Sequence, residues 1–362
     1  MRSRIIYSLV LFALIFNPFV GTSQHSELAE DSLTFQEEIK LDIRHHLEDG
    51  HDYHLFTDES TGSHYGFPLP VILVDEGVHF FMSSAFHHGE EVAESKGKFY
   101  LVYHNKVYRT DAEGTLSFDA DHHPTNVKPL DLSITKNVFH IIAIGLLMLV
   151  LFGRAARNYK NDLVPRGVAK FVEPIVLFVR DDIARPNIGE KSYRKYMGFL
   201  LTVFFFIWIV NLLGLTPLGV NINNSVAVTF ALALITFLIT NLSGTKTYWL
   251  HILDPLGKSM PWYGKLGIYP LLVPIEILGI FIKPFALMIR LYANITAGHI
   301  VMMSLLGLIF IFKSWIGSPL SFGLAFFIGI LELLVAALQA YIFTMLSALY
   351  FGSAAAEPHH DH

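Results

Sequence analysis

The sequence predicts an all-α polytopic membrane protein with two long tilted membrane helices forming a hairpin, preceded by a small, mostly β extramembrane domain at the amino terminus. Three observations support this fold class. Of the 362 residues, 52% are hydrophobic and only 16% are charged, whereas soluble domains carry about 25% charged residues. Long apolar runs fill the chain from residue 134 onward. Residues 24–133 contain no run long enough to cross a bilayer.

The first 23 residues have the pattern of a secretory signal peptide. Arg2 and Arg4 precede an apolar stretch at 5–16, and small residues follow at 21–23. Because the apolar core is short for a membrane span, we expect cleavage near residue 23. An uncleaved anchor helix is the alternative interpretation.

Residues 24–133 are predicted to form an acidic, histidine-rich periplasmic domain. They hold 21 acidic against seven basic side chains and 12 of the 18 histidines. The stretch at 33–49 has the four-residue apolar period of a helix. The stretches PVILVDEGVHFFMS (70–83) and YLVYHNKVYRT (100–110) each predict two strands around a turn.

Four of these histidines raise the question of a metal site, namely His45, His46, His51 and His54. Their spacing matches no standard zinc pattern, so we interpret them as exposed polar side chains. We expect no metal and no cofactor. Cysteine is absent from the chain, which excludes disulfides and thiol chemistry.

The membrane domain is predicted at 134–352, with five helical membrane segments. These are expected at about 134–153, 196–215, 225–242, 267–312 and 319–351. The remaining residues, 353–362, include a second histidine cluster and are expected to form a solvated tail.

The charges of the loops predict the orientation. Residues 154–195 carry ten Lys or Arg and five Asp or Glu, whereas residues 216–224 carry no charge. Lys and Arg near span ends mark the cytoplasmic side, so the loop at 154–195 is predicted to be cytoplasmic. The amino-terminal domain is then periplasmic, in agreement with the signal pattern, and the carboxyl-terminal tail is cytoplasmic. The expected location is a bacterial inner (plasma) membrane.

The fourth segment is too long for one upright span. Residues 267–312 would make a helix of about 69 Å at about 1.5 Å per residue, against a bilayer core of about 30 Å. The segment is either two spans with a turn near Arg290 or one steeply tilted helix. No Gly or Pro occurs between Phe285 and Ala297, so the sequence favours one helix. The last segment has similar character and could pair with it.

Polar side chains follow a regular spacing along this segment. Glu276, Lys283 and Arg290 are seven residues apart and share one helical face, which Asn294 continues four residues later. His299 is nine residues beyond Arg290 and points to roughly the opposite side. A charge deep in the bilayer costs about 2.5–3.5 kcal/mol on insertion scales, so these residues are expected to face a protein partner or a water-filled path.

The last segment repeats this spacing, because Glu332 and Gln339 are also seven residues apart. One interpretation is structural: buried pairs such as His299 with Glu332 hold the helices in register. Arg290, however, has no acidic partner one turn away in its own helix. An arginine without an internal partner suggests a partner on another chain.

Three stretches carry a resemblance to a known family. RLYANITAGH (290–299), preceded by Glu276 and Lys283-Pro284 and followed by LELLVAALQAYIF (331–343), resembles subunit a of the rotary F-type ATP synthase. The resemblance covers about 134–352. The signal pattern and the acidic domain are outside the usual pattern of that family.

The resemblance implies a role for each polar residue. Arg290 looks like the stator arginine that faces the rotor carboxylate, with Gln339 as its neighbour on the final helix. His299 and Glu332 look like the acid and histidine pair of the proton path. Glu276 and Asn294 look like further polar lining. One half-channel would lead from outside through Glu276, His299 and Glu332 to the ring, and a second from the ring to the cytoplasm.

The implied partners are a rotor ring of small hairpin subunits, a peripheral-stalk subunit, the lipid bilayer and protons. No nucleic acid is implied. The chain lacks the phosphate-binding loop G-x-x-x-x-G-K-[ST], so we expect no direct ATP binding and a non-catalytic subunit of a proton-translocating complex. The alternative is a secondary ion transporter or another proton-conducting membrane protein. A transporter of that class would carry inverted repeats, and none is visible.

Overall fold

The computed structural model describes residues 19–21, 49–58, 63–89, 91–119, 123–161, 164–216, 222, 225–256, 262–312 and 317–355. The chain divides into two compact units, an amino-terminal unit (Met1–His140) and a helical unit (Ile141–His362). Most of the expected signal peptide, nearly all of the helix expected at 33–49 and the end of the carboxyl-terminal tail lie outside the described residues.

Short antiparallel strands make up most of the described part of the amino-terminal unit. They are β1 Phe19–Gly21, β2 Asp52–Asp58, β3 Ser63–Pro68, β4 Pro70–Val74, β5 Val78–Met82, β6 Ala93–Ser95, β7 Lys98–Tyr103, β8 Lys106–Thr110 and β9 Leu130–Asp131. A 3-10 helix, Ser83–Gly89, follows β5. The strands form three sheets in the orders β1-β3-β2, β5-β4-β9 and β6-β7-β8. β1 lies within the expected signal peptide.

Both hairpins predicted from the sequence are confirmed. β4 pairs with β5 from Val74↔Val78 to Pro70↔Met82, around the turn at 75–77. β7 pairs with β8 around His104 and Asn105, whose φ angles are 46° and 58°. Two consecutive positive φ angles give the tight turn whose twist matches that of the flanking strands.

The core of this unit lies between two of the sheets. Val71 and Leu73 alternate with partly exposed neighbours along β4 and are fully buried. They pack with Phe86, Tyr100 and Val107, which come from the 3-10 helix, β7 and β8. The period-two burial of β4 is what a strand with one core-facing side requires.

Helices make up the rest of the described chain. They are α1 Lys136–Asn161, α2 Val168–Phe178, α3 Arg185–Ile188, α4 Tyr193–Gly214, α5 Val226–Leu242, α6 Lys246–Leu253, α7 Trp262–Phe312 and α8 Gly317–Ala355. A π-helical segment, Val179–Ala184, joins α2 to α3. The predicted cytoplasmic loop at 154–195 is therefore largely helical. The sequence did not indicate these helices, because the apolar run VEPIVLFV (172–179) is too short to resemble a membrane span.

Several helices can cross a membrane. Within the described residues, four are long and apolar enough: α1, α4, α7 and α8. α5 meets this criterion only together with α6, to which it connects through a bend of 100°. The chain is therefore a polytopic, membrane-embedded protein with four such helices, or five if the bent pair is one span.

The prediction of one helix through Arg290 is confirmed, because α7 is continuous over 51 residues. Pro270, Pro274 and Pro284 all lie inside it. Each removes one backbone hydrogen bond, which bends a helix more readily than it ends it.

The core of the helical unit supports α7 and α8. Leu200 and Ile207 of α4, Leu287 and Leu291 of α7, and Phe343 of α8 belong to one buried cluster. Near the end of α8 the Phe351 ring stacks on Tyr196 of α4 at a centroid distance of 4.7 Å. The polar positions of α7 and α8 are thus held against a packed framework.

Candidate functional site

Four side-chain contacts join α7 to α8, and residue numbers rise on α8 as they fall on α7, so the helices run antiparallel. Ser318 Oγ donates to the Ile309 carbonyl at 3.2 Å, and the Glu332 carboxylate lies against Gly298. Asn294 Nδ2 donates to Gln339 Oε1 at 3.0 Å. Lys283 Nζ lies 5.7 Å from the centre of the Tyr350 ring. The polar residues that the sequence singled out in the membrane segments all lie along these two helices.

Glu332 fits against α7 because residue 298 is glycine. A Cβ atom built on Gly298 would lie 2.5 Å from Glu332 Oε1, closer than a carbon side chain allows. Glu332 Oε2 is buried and has no hydrogen-bond partner in the described part of the chain. A buried carboxylate oxygen is normally hydrogen-bonded, so this atom is a natural acceptor for a proton or for water. His299 follows Gly298 on α7, and its side chain lies outside the described residues.

Asn294 and Gln339 form a polar bridge between the two helices. Gln339 is only 2% exposed and accepts the bond from Asn294. A buried side-chain amide needs such a partner, since an unsatisfied one costs about 1–3 kcal/mol. The pair therefore fixes the facing positions of α7 and α8 one turn from Arg290.

Arg290 lies on the open side of α7. Its side chain is exposed, whereas Leu287 and Leu291 on either side are buried in the helical core. Arg290 makes no hydrogen bond or ion pair with any residue that the structure describes. A guanidinium stays charged in any protein environment, so the helix presents a permanent cation on an otherwise apolar surface.

A small polar cavity lies on the other side of Arg290, towards the start of α7. It has a volume of about 20 Å³, enough for about one water molecule. Its polar lining comes from α5, α6, α7 and α8: Thr236, Thr240, Asn241, Tyr248, Lys283, Tyr350 and Ser353. Sequence reasoning missed all of these except Lys283. The signal was present, because two threonines four residues apart interrupt the apolar run of α5.

The continuity of α7 separates Glu276 from the other two acid and base candidates. Glu276 precedes Arg290 by 14 residues, about 21 Å along the helix, and Gly298 follows it by eight residues, about 12 Å. Glu276 is half-buried and makes no hydrogen bond to the described residues. The structure brings Glu332 to Gly298 and leaves Glu276 on the opposite side of Arg290.

Asn211 is a further buried polar residue that the sequence reasoning missed. It lies on α4, and its Nδ2 donates to the Ala336 carbonyl of α8 at 3.4 Å, between Glu332 and Gln339 along the chain. The available signal was a single asparagine inside the apolar run IVNLL.

Within the described residues, no group of three His, Asp or Glu side chains could hold a metal ion. The expectation that the clustered histidines are exposed is wrong for His51, which is 6% exposed and lies 2.7 Å from Asp131 Oδ2. Burial raises the pKa of Asp131, but hydrogen bonds from His51 and Ser133 outweigh burial and lower the pKa to about 2. His45 and His46, together with the side chain of His54, lie outside the described residues.

Comparison with known proteins gives matches to both units. A family model described as ATP synthase A chain matches residues 138–352. A second, described as a domain of unknown function (DUF8433), matches residues 42–132.

Similar proteins include the ATP synthase subunit a of Myxococcus xanthus, 48% identical over 239 residues, which are 64% of this chain and 77% of that protein. That of Chloroherpeton thalassium is 44% identical over 238 residues, 64% of this chain and 69% of that protein. That of Pelodictyon phaeoclathratiforme is 39% identical over 295 residues, 77% of this chain and 81% of that protein. The last alignment covers more of this chain than the helical unit contains, so it reaches into the amino-terminal unit.

Proposed function

The chain belongs to the ATP synthase subunit a family, and from this premise we propose that it is the proton-channel stator subunit of the F-type ATP synthase membrane sector. It provides two half-channels and the arginine that couples proton translocation to rotation of a rotor ring. The observation that carries the proposal is Arg290. It is a permanent, exposed cation that makes no hydrogen bond or ion pair with the described residues, and it lies one turn from the half-buried Asn294–Gln339 bridge on an apolar helix.

In the proposed arrangement, α7 and α8 form a tilted hairpin in the bilayer. Their 51 and 39 residues correspond to about 76 and about 58 Å of helix, against a bilayer core of about 30 Å. Helices this long must incline steeply if they stay within the membrane. The antiparallel contacts between them support the hairpin, and the open side of α7 faces the ring.

The chemistry follows from the cost of an exposed charge in lipid. A rotor carboxylate that faces lipid must be protonated, because an ionised one is expensive to desolvate. A fixed cation beside it lowers its pKa and favours release of the proton. Arg290 supplies that cation, because a lysine in this position could lose its own proton whereas an arginine does not.

The two half-channels lie on opposite sides of Arg290 in this proposal. The outer path uses Glu332 and His299 around Gly298. The inner path uses Glu276, together with the small cavity that Lys283 and Tyr350 help to line. This revises the expectation that Glu276 belongs to the outer path, because along the continuous α7 it lies on the opposite side of Arg290 from Gly298. The Arg290 charge separates the paths, so a proton passes from one to the other only on a moving rotor carboxylate. Each crossing supplies about 2.3 kcal/mol per 100 mV of membrane potential.

The same proposal fixes orientation and partners. Residues 1–23 act as a signal peptide, 24–133 form a periplasmic domain, 134–352 form the membrane domain and 353–362 a cytoplasmic tail, in a bacterial inner membrane. The rotor ring and a peripheral-stalk subunit are the protein partners, and nucleotide chemistry belongs to other subunits. The ten basic side chains at 154–195 support the cytoplasmic placement of that segment.

Inverted membrane vesicles that carry Arg290→Ala test the coupling role. We expect ATP-driven acidification to be lost while the complex assembles normally, and the passive proton leak to rise once the catalytic head is stripped. Lys246→Ala is the matched control, because it removes an exposed cation outside α7 and α8. Acidification that persists at the control level in Arg290→Ala would contradict the proposal.

A further inference from the structure

One face of the β5-β4-β9 sheet is apolar, and no described part of the chain covers it. Val78, Phe80 and Met82 of β5 are 56%, 64% and 40% exposed, and Leu130 and Leu132 at β9 are 62% and 57% exposed. The strand pairing aligns them with Ile72 and Val74 of β4. We call these seven side chains the apolar sheet face; its members are Ile72, Val74, Val78, Phe80, Met82, Leu130 and Leu132.

The opposite face of the same sheet is the packed one. Val71, Leu73 and His79 point inward and are buried, and Asp131 turns inward to His51. An antiparallel sheet with one packed face normally carries polar side chains on the other. The apolar sheet face has no charged or polar member, so it breaks that pattern. A contiguous apolar patch of this kind, close in the chain to a membrane helix, is a candidate interaction surface.

The apolar sheet face is tethered close to the start of a membrane helix. Leu132 N donates to the Ile72 carbonyl and Ile134 N to the Pro70 carbonyl, so the pairing continues almost to Lys136, where α1 begins. Leu132 lies four residues before Lys136, a reach of at most about 14 Å.

The first turn of α1 is fixed to the amino-terminal unit, to which it belongs. Lys136 N donates to the Gly50 carbonyl at 3.0 Å, and Asn137 N donates to Asp49 Oδ1 at 3.0 Å. Tyr53 Oη lies 3.1 Å from His140 Nε2, and both residues are buried. The chain therefore passes from the sheet to the first turn of α1 within a few residues, and that turn is hydrogen-bonded to the same unit.

The size of the apolar sheet face favours lipid over protein as its occupant. β4 and β5 are five residues long and β9 is two residues long. At about 4.8 Å between strands and about 3.4 Å per residue, the face covers at most roughly 14 by 17 Å, about 240 Å². A stable protein interface buries about 800 Å² on each partner. A surface already held at a bilayer needs far less, because tethering supplies a high effective concentration.

Cationic side chains lie near the edge of this face. Lys96 Nζ donates to the Val78 carbonyl at one end of β5, and the exposed Lys128 precedes β9 by two residues. Lysines beside an apolar patch can meet the phosphates of lipid headgroups. We propose that the apolar sheet face inserts shallowly into the boundary between headgroups and acyl chains of the membrane that α1 crosses.

The absence of cysteine makes a direct test straightforward. Single-cysteine variants Phe80→Cys and Leu130→Cys of the full chain would carry a nitroxide label in vesicles of phosphatidylethanolamine and phosphatidylglycerol. Lys106→Cys, at the exposed β7–β8 turn, is the aqueous control, and Leu146→Cys, exposed on α1, is the lipid control. Accessibility to oxygen, which concentrates in lipid, and to a water-soluble nickel complex would be measured by spin resonance.

We expect the ratio of oxygen to nickel accessibility at residues 80 and 130 to exceed that at residue 106 at least threefold and to approach that at residue 146. Values equal to the aqueous control at both positions would overturn the proposal. Protection that appears only after the whole synthase complex assembles would also overturn it, since a protein partner would then cover the face. Using two positions guards against a local disturbance at either one.

Discussion

At the scale of single residues, Gly298 decides where the Glu332 carboxylate can lie. The carboxylate occupies the space that any larger residue would fill. The structural role of the glycine is therefore to admit a neighbour from α8, rather than to relax the backbone of α7.

Gly298→Ala is expected to displace Glu332 without breaking the helix pair, because a flexible acidic side chain can rotate away from the new methyl group. Proton pumping by inverted vesicles should fall severalfold while the yield of assembled complex stays near wild type. Gly279→Ala on the same helix is the control, since a Cβ there meets nothing within 4 Å. Equal pumping in the two variants would show that the position of Glu332 is unimportant.

Asp131 gives the amino-terminal unit a defined acid sensitivity. The pKa of Asp131 is lowered from 3.8 in the unfolded chain to about 2 in the folded chain. Its contribution to the free energy of unfolding is therefore fully present above pH 3.8 and is lost as the pH falls towards 2. The size is about 2 kcal/mol. Urea unfolding of the full chain in detergent, followed by tyrosine near-ultraviolet circular dichroism, should show the free energy of unfolding falling between about pH 4 and about pH 2. In Asp131→Asn, the free energy of unfolding should change less with pH over this range. If it changes as steeply as in the wild type, the His51–Asp131 pair is not the cause of the acid sensitivity.

Sequence reasoning found the polar residues that interrupt α7 and α8 because charges in apolar runs are conspicuous. It missed Asn211 and the threonines of α5, because uncharged polar residues are tolerated in membrane helices for many reasons. It also misjudged His51, whose partner Asp131 is 80 positions away. His51 is buried by contact with a strand that is far away in sequence, so the residues next to His51 carry no pattern that indicates its burial.

At the scale of elements, the close approach of α8 to α3 depends on Gly352. A Cβ on Gly352 would collide with the carbonyl oxygen of Asn187, a backbone atom that cannot rotate away. The end of α8 is therefore packed directly against the chain that precedes α4.

Gly352→Ala is expected to destabilise the helical unit by about 1–3 kcal/mol, the usual cost of overpacking. Gly323→Ala on the same helix meets nothing within 4 Å and should be neutral or slightly stabilising, because alanine favours helix by up to about 1 kcal/mol. Thermal aggregation of the purified chain in detergent compares the two. A Gly352→Ala variant as stable as Gly323→Ala would mean that α3 and α8 separate at little cost.

Element types were predicted well where the pattern was local. The β4–β5 and β7–β8 hairpins follow from apolar runs around turn residues, and the continuity of α7 follows from the lack of Gly or Pro near Arg290. The helices within 168–188 were not predicted, because the apolar run at 172–179 is too short to resemble a membrane span and the packing of these helices against α4 and α8 is non-local.

At the scale of the whole molecule, charge is segregated along the chain, and this predicts topology. Glu113→Cys in the acidic amino-terminal unit and Lys191→Cys before α4 are both exposed positions. In intact spheroplasts, a membrane-impermeant maleimide should label residue 113 and reach residue 191 only after permeabilisation. The reverse result would invert the proposed orientation and exchange the two half-channels.

The pairing of β9 with β4 bears on biogenesis. β4 lies between β5 and β9, and β9 and the first turn of α1 are the last parts of the amino-terminal unit to leave the ribosome. Asp49 accepts a hydrogen bond from Asn137, Gly50 accepts one from Lys136, and Tyr53 contacts His140 only once the start of α1 has been synthesised. In the proposed orientation, this unit completes its fold only around the time that α1 is handed to the translocon, so its maturation would act as a checkpoint on correct insertion of the first helix.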